Sequence, residues 1–423
     1  MNRHHIPQGY KDSPLGIIPK EWEVKRLGEV CTKITDGTHG TPQKQDVGVP
    51  YLTAIHVKDG IIDYDNCYFL TQKDHNEIYQ RCNPEFGDVL MVNIGAGVGS
   101  VAMNKVEYEF SLKNVALLKP NKEILTGYFL ESYLLASKSK NIHRLLNGGA
   151  QPFFGLDDIA RIHILLPSLI EQNRLESIIS LWDTAIEKQS ELIEKLKLRK
   201  RALMQQLLTG KKRLPGFSGK WKQVPIKSFA NEVSNRNVNG INYIVLSCTK
   251  YDGLVPSLEY FGKQIYSNDL SSYKIIPQGH FAYATNHIEE GSIGYQSNYE
   301  NGLISPMYTV FSTDNKMVDD TLLFAVLKSH HLIYLYQSMM EGSINRRGGL
   351  RWDSFSTIKI DLPPLNEQKA ISTFLKDADK EIELANEKLA SMQSQKRGLM
   401  QQLLTGKKRV KELKDYEKRR KQA

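Results

Sequence analysis

Leu203-Met204-Gln205-Gln206-Leu207-Leu208-Thr209-Gly210-Lys211-Lys212-Arg213 recurs unchanged as Leu399 to Arg409. The motif Leu166-Pro167-x-Leu169-x-Glu171-Gln172 recurs as Leu362-Pro363-x-Leu365-x-Glu367-Gln368. Both pairs are 196 positions apart, so the stretch between them is duplicated without insertion. A period of about half the chain is far too long for a solenoid. The chain is two copies of one unit, each a globular part followed by a long helix.

The helices are written in the apolar spacing. Leu175, Trp182, Gln189, Leu196 and Leu203 lie seven apart, with a second seam at 178/179, 185/186 and 192/193. That is coiled-coil periodicity held for about four to five heptads. The second copy carries Ile371, Phe374, Leu375, Ala378, Ile382, Ala385, Leu389, Met392, Leu399 and Leu403. Ser168-x-x-Glu171 predicts a capping box and Thr209-Gly210 a glycine stop. In the second copy Pro364 replaces the capping serine, which only a first turn tolerates. Gly398 replaces Ala202, at a cost of about 1 kcal/mol in an exposed helix interior. A single amphipathic helix of about 60 Å needs a partner for its stripe. The two copies pair most simply antiparallel; the competing arrangement packs each helix on its own domain. The seam expected between them is Leu175, Trp182, Leu196, Leu203 and Leu207 against Ile371, Ala378, Met392, Leu399 and Leu403.

The globular halves read as diverged copies. Trp22-x-x-x-x-Leu27 matches Trp221-x-x-x-x-Ile226, and Tyr51 with Asp59-Gly60 matches Tyr243 with Asp252-Gly253. Gly87 to Val92 matches Gly279 to Ala284, and Leu156-Asp157 with Ile162 and Ile164 matches Trp352-Asp353 with Ile358 and Ile360. Short apolar or alternating runs bounded by Gly, Asp and Asn predict strands, with one helix per half, about 124–146 and 319–340. The expected fold is α+β: two similar strand-rich domains separated by two long antiparallel helices in a coiled coil, pseudo-two-fold symmetric. Its divisions are a first domain over 1–165, a helix over 166–213, a second domain over 214–361, a helix over 362–409 and a basic tail over 410–423.

Composition narrows the class. Of 423 residues, 40% are hydrophobic and 24% charged, as in ordinary globular proteins. No apolar run approaches the ~20 residues of a membrane span, and the first twenty residues lack a signal peptide's apolar core. Cys31, Cys67, Cys82 and Cys248 have no paired spacing, which argues against disulfides or zinc and fits a cytoplasmic protein. The net charge of +9 is concentrated in the helix ends. Lys188 to Arg213 carries +7 and Lys388 to Ala423 carries +9, leaving the remainder net acidic. Any DNA contact by the globular halves must therefore come from local clusters, or a partner must supply much of the phosphate grip.

These motifs resemble a known family, the specificity subunit of type I restriction-modification systems. The resemblance rests on two divergent domains, each followed by the Leu-Pro-x-Leu-x-Glu-Gln helix that ends in Leu-Met-Gln-Gln-Leu-Leu-Thr-Gly-Lys. Asp36-Gly37-Thr38-His39 and Gly148-Gly149-Ala150-Gln151 add to it. The second half lacks an obvious counterpart of either loop motif and offers Asn235-Arg236-Asn237 and Gly342-Ser343-Ile344-Asn345-Arg346-Arg347 instead. The resemblance implies a non-catalytic DNA-reading adaptor, with one half-site per domain of a bipartite target and the helix pair setting the spacer. It implies two methylation subunits docked on the helices, with restriction subunits joining them. S-adenosylmethionine and ATP then belong to those partners and no cofactor to this chain. Adenine methylation would require the base to leave the stack.

A ruler between two readers suits a split site on physical grounds also. Base edges are read by Asn, Gln, Arg, His and Thr in loops, while Lys and Arg hold phosphates. On that chemistry the candidates in the first domain are Thr38, His39, Lys44, Asn93 and Gln151. In the second they are Arg236, Lys250, Asn286, His287, Arg346 and Arg347. Lys211-Lys212-Arg213 and Lys407-Lys408-Arg409 suit phosphates or helix-end electrostatics equally. Gly95-Ala96-Gly97-Val98-Gly99 imitates a cofactor loop, but its context favours a tight turn between strands. Asn83-Pro84-Glu85-Phe86 resembles an amino-methyltransferase signature, but glutamate at the third position would disturb the clamp on a target amine. No paired acid and base or nucleophile constellation is apparent. The competing functions are a self-contained DNA methyltransferase and a scaffold that binds protein alone.

Overall fold

A computed structural model describes residues 6–95, 97–145, 153–341 and 349–410. Gln151, Arg346, Arg347 and the tail beyond Val410 lie outside these described residues. The chain divides into two compact units, one comprising 1–190 with 387–423 and the other 191–386. The division cuts through the long helices, Leu169–Leu207 and Leu365–Leu403, so each helix begins in one unit and ends in the other. Among the described residues no helix is long and apolar enough to cross a membrane.

The first unit is built on a four-stranded antiparallel sheet in the order 101–103, 89–92, 115–120, 31–36. A second sheet holds the parallel pair Ser111–Lys113 and Val49–Thr53, with Tyr68–Leu70 antiparallel on the latter. The strand Glu23–Arg26 pairs with His163–Leu166 just before the long helix. The second unit repeats the scaffold: a four-stranded antiparallel sheet in the order 293–295, 281–284, 308–313, 230–233. Lys222–Pro225 pairs with Lys359–Leu362. The second sheet diverges. It keeps a parallel pair, Ile244–Thr249 with Asn301–Ile304, but has four strands, with an antiparallel neighbour on each member: Gly253–Pro256 on the former and Lys274–Pro277 on the latter. Each unit is α+β, with strand content as its spacing implied.

The expected helix over 319–340 is broken into Asp320–Leu327 and His330–Glu341. Ser329 stands at the break and accepts the Leu332 N–H on its hydroxyl, capping the second piece. The corresponding helix of the first unit runs unbroken over Gly127–Leu145.

In each unit the end of one long helix runs antiparallel to the start of the other. In the first unit Asp183 pairs with Lys396 and Glu171 with Arg409; in the second, Asp379 pairs with Lys200, Glu381 with Arg199 and Glu367 with Arg213. Rising along one helix means descending the other, residue for residue. Asp183–Lys396 and Asp379–Lys200 are one contact displaced by the repeat, as are Glu171–Arg409 and Glu367–Arg213.

The seam is buried at Leu175, Ile179, Ile193 and Leu196, while Trp182, Leu203, Ala378, Met392 and Leu399 are half-buried. Leu192 is 45% exposed although its neighbour Ile193 is buried. Adjacent helix positions differ by ~100°, so a two-helix stripe takes one of them. Leu207, Ile371 and Leu403 are absorbed into globular cores. Met400, Leu403 and Leu404 join the core of the first unit with Trp22 and Leu175, and Leu207 and Ile371 join that of the second.

Both repeated motifs serve these junctions. Gln172 donates to the carbonyls of Ile124 and Pro167 and accepts from Thr126 N. Gln368 does the same with Met317, Pro363 and Asp319 N. Ser168 caps as expected, accepting the Glu171 N–H at 3.4 Å, but the Glu171 carboxylate is committed elsewhere. It accepts from the Trp22 indole at 2.9 Å and from Arg409 at 2.7 and 3.0 Å. Gly210 and Gly406 end the helices at φ +67 and +70°. The following Lys212 and Lys408 N–H groups bond back to Gln206 and Gln402. A Cβ at Gly406 would lie 2.4 Å from Pro19, so this stop is also a close contact with the N-terminal strands.

Candidate nucleic-acid interface

In each unit the chain passes from the parallel pair into the four-stranded sheet at one corner. In the first unit this is Asn114, between strands Ser111–Lys113 and Val115–Pro120. Its φ of 55° makes it the only non-glycine residue with positive φ among the described residues. Asparagine tolerates that region better than most residues.

The Asp36-Gly37-Thr38-His39 segment folds against this corner. Gly37 N donates to Val115 O and Thr38 N to Leu112 O. A Cβ at Gly37 would stand 2.0 Å from the Leu112 carbonyl oxygen, so only glycine permits the approach. Asp36 is buried and holds two side chains, the Arg81 guanidinium at 2.7 Å and the His39 imidazole, through Nε2, at 2.9 Å. Arg81 also donates to the Asp36 and Gly37 carbonyls. The other ring nitrogen of His39 faces Asn114 Oδ1 at 3.2 Å. Thr38 bridges to Lys113, whose ammonium reaches Thr41 at 2.7 Å. Lys44 lies farther along the second sheet, its ammonium 3.1 Å from the Tyr68 ring centroid.

Asn93 is opposite the corner, one residue past the pair Val92 and Val115. Its side chain is buried, 1% exposed, beneath the surface, and its carbonyl accepts from Phe154 N at 2.9 Å. That bond and the bridge Ile94–Phe153 tie the strand end to the segment following Gln151.

The second unit repeats the junction with different side chains. The corner is Ser305 to Met307, between Asn301–Ile304 and Tyr308–Thr313. Thr285 stands where Asn93 does: its carbonyl accepts from Leu350 N and its hydroxyl donates to Met307 O at 3.1 Å. Asn286 and His287 follow, and with Met307 they line a groove of about 250 Å³. Gly349 is fitted tightly here, since a Cβ would come within 2.3 Å of Asn286 Oδ1. Arg236 bridges to Lys274, whose ammonium donates to Tyr308 O at 2.6 Å. Burial pulls the Lys274 pKa below its ordinary value, opposed in part by Glu232 and assisted less strongly by Arg236. Lys250 is exposed beside Tyr251 at the end of its strand. Asn237, adjacent to Arg236, is buried and closes its own loop onto Ile241.

Thr38 and His39 are thus gathered at one corner with Asn93 beneath them, and Asn286 and His287 at the corresponding corner. Arg81, Lys113, Asn114 and Met307 were not among the sequence candidates. Asn114 had a legible signal, an asparagine between two apolar runs; Arg81 had none, because its partner is 45 positions away.

The arginine of each Lys-Lys-Arg run is committed to structure, Arg213 to Glu367 and Arg409 to Glu171 and Glu21. Gly95, Gly97 and Gly99, all at positive φ, lie between two antiparallel strands. Asn83 to Phe86 is a turn held by Lys33 and Lys119. His287, Glu289 and Glu290 bring potential ligand atoms within 4.8 Å of one another, a surface grouping common without an ion.

Residues 19–198 and 221–393 each match the type I restriction modification DNA specificity domain. The chain belongs to that family. It is a specificity subunit, whose role is recognition of DNA sequence, rather than a catalytic subunit. It is 27% identical to the type I restriction enzyme MjaX specificity subunit of Methanocaldococcus jannaschii, over 96% of this chain and 97% of that one. The MjaVIII specificity subunit of the same organism is 24% identical over 94% and 95%. The fold is similar to the HsdS subunit from Thermoanaerobacter tengcongensis, with TM-score 0.52, 16% identity, and 92% and 98% coverage. A structure concerned with complex assembly and conformational transition of the type I system gives TM-score 0.56 at 15% identity, covering 92% of this chain and 99% of that one.

Proposed function

We propose that this specificity subunit reads a bipartite duplex target, one half-site per unit, through the two corners. The observation that carries the reading is a repeated scaffold whose corresponding corners are lined from different loops: Thr38 and His39 after the edge strand, with Asn114, in one unit, and Asn286 and His287 after an inner strand, with Met307, in the other. A common frame with divergent loops suits two half-sites of different sequence. Proteins of this family work with DNA and with methylation and restriction subunits. In this reading two methylation subunits dock along the helix pair, where Leu181, Leu198 and Leu384 are exposed. They hold S-adenosylmethionine and methylate adenine, the restriction subunits hold ATP, and the assembly is cytoplasmic. The helix pair sets the spacer.

Exchanging residues 1–165 for a homologous domain tests this directly, with methylated adenines then mapped by sequencing. One half-site should change and the other persist. Lengthening both helices by a turn should widen the spacer and leave both half-sites intact. An extension that altered the half-sites and preserved the spacing would exclude the ruler. The isolated chain with S-adenosylmethionine should methylate nothing.

A further inference from the structure

The groove beside Asn286 has chemistry that a general DNA-reading role does not specify. Two large apolar side chains stand at its mouth in water, Met307 at 65% and Ile265 at 52% exposure. Part of its polar lining is already paired within the protein. Ser247 Oγ donates to Ser257 Oγ at 3.0 Å, and the Tyr273 hydroxyl accepts from Ser267 N at 3.2 Å. Hydroxyls that pair with protein groups gain little from a polar ligand, so the groove favours an apolar occupant. Among the described residues the Asn286 carboxamide has only the Thr285 hydroxyl 3.4 Å from its Oδ1, and that hydroxyl gives its proton to the nearer Met307 O. The rest of the carboxamide's hydrogen-bonding capacity is unspent among the described residues, with Oδ1 lying close against Gly349.

The major groove of duplex DNA offers one apolar projection, the 5-methyl of thymine, and asparagine matches the N6/N7 edge of adenine. Both belong to the same base pair. Thr285 joins the two readers, preceding Asn286 in sequence and bonded to Met307 O. We infer that this groove reads an A·T pair in the half-site of the second unit, with the thymine methyl against Met307 and Ile265 and the adenine edge on Asn286. The inference rests on the DNA-recognition role proposed above.

The test uses the subunit assembled with its methylation partners. Each thymine of the second half-site is replaced in turn by deoxyuridine, which lacks the methyl, and duplex affinity is measured. One position should lose about fourfold, the worth of one buried methyl group. With Met307→Ala the thymine-to-uracil ratio at that position should fall to about one, and Met307→Leu should retain it. Met307 is exposed, so neither variant threatens the fold. A complex that binds its target but has no uracil-sensitive position in that half-site overturns the inference, as does a ratio unchanged by Met307→Ala. Enhanced permanganate reactivity of that thymine also overturns it, because an unstacked base would then occupy the groove. A complex that binds no duplex at all overturns the DNA-recognition reading with it, which keeps the two failures distinct.

Discussion

Gly37 illustrates how tightly a reading loop is held to its frame. With the Leu112 carbonyl 2.0 Å from any Cβ, Gly37→Ala must lift the Asp36 to His39 segment off the corner. The variant should lose discrimination at the first half-site and about 1–3 kcal/mol of stability, while the second half-site is still read. Binding to duplexes altered in one half-site at a time will measure this. Glu131 gives a contrasting expectation. Burial raises its pKa above the ordinary 4.5, and its carboxylate accepts one backbone bond, from Met103 N at 2.8 Å. A carboxyl with a raised folded pKa favours the fold in its neutral form. Its contribution is complete below the unfolded value and lost as pH rises through the folded one. Glu131→Gln, always neutral, should therefore melt above the wild type near neutral pH, and the difference should vanish below the ordinary carboxyl range. At this scale the sequence was partly legible. Thr38, His39, Asn286 and His287 were selected by residue chemistry, and the fold brings them to equivalent corners. Arg81 was illegible because its contact with Asp36 is made only by the fold. The burial of Asn93 was illegible because a strand-end position does not reveal which face it presents.

The long helices were the most readable elements, since a period held over 39 residues is hard to mistake. Periodicity says which face is covered but not by what. It could not reveal that Leu207 and Leu403 serve globular cores while Trp182 and Met392 lie along the rod. It also overran at Lys328 and Ser329, where a serine cap divides a helix that apolar content alone would continue. The same elements hold a stability margin that can be recovered. Gly398 lies in the second helix with nothing within 4 Å of a built Cβ. Gly398→Ala should raise stability by about 0.5–1 kcal/mol through lost backbone freedom in the unfolded chain. A rise in the melting temperature of the assembled complex, without change of target, will check it.

For the whole molecule the duplication was legible from two repeated blocks. The exchange of helix ends between units follows from the antiparallel pairing that the seams predict, but the globular core each end enters was not legible. Contacts in the second unit are formed by the end of the first helix, and contacts in the first unit by the end of the second. Leu404 therefore belongs to the core that contains Trp22, although hundreds of positions separate them. Leu404→Ala, at 1% exposure, should cost about 2–5 kcal/mol. Proteolysis should then open the unit at the chain's beginning and spare 191–386. Selective opening of 191–386 instead would contradict the division described here.

The hydroxyl of Tyr10 donates to the carbonyl of Gly406, joining the first strands to the last turn. Protein synthesis delivers Tyr10 long before Gly406. By the time Asn386 leaves the ribosome, the middle unit has every residue it needs, whereas the unit begun first still lacks Met400, Leu403, Leu404 and Arg409. The domain translated first is therefore the last to be finished, and until then its apolar surface around Trp22 stands open to chaperones and to other nascent copies.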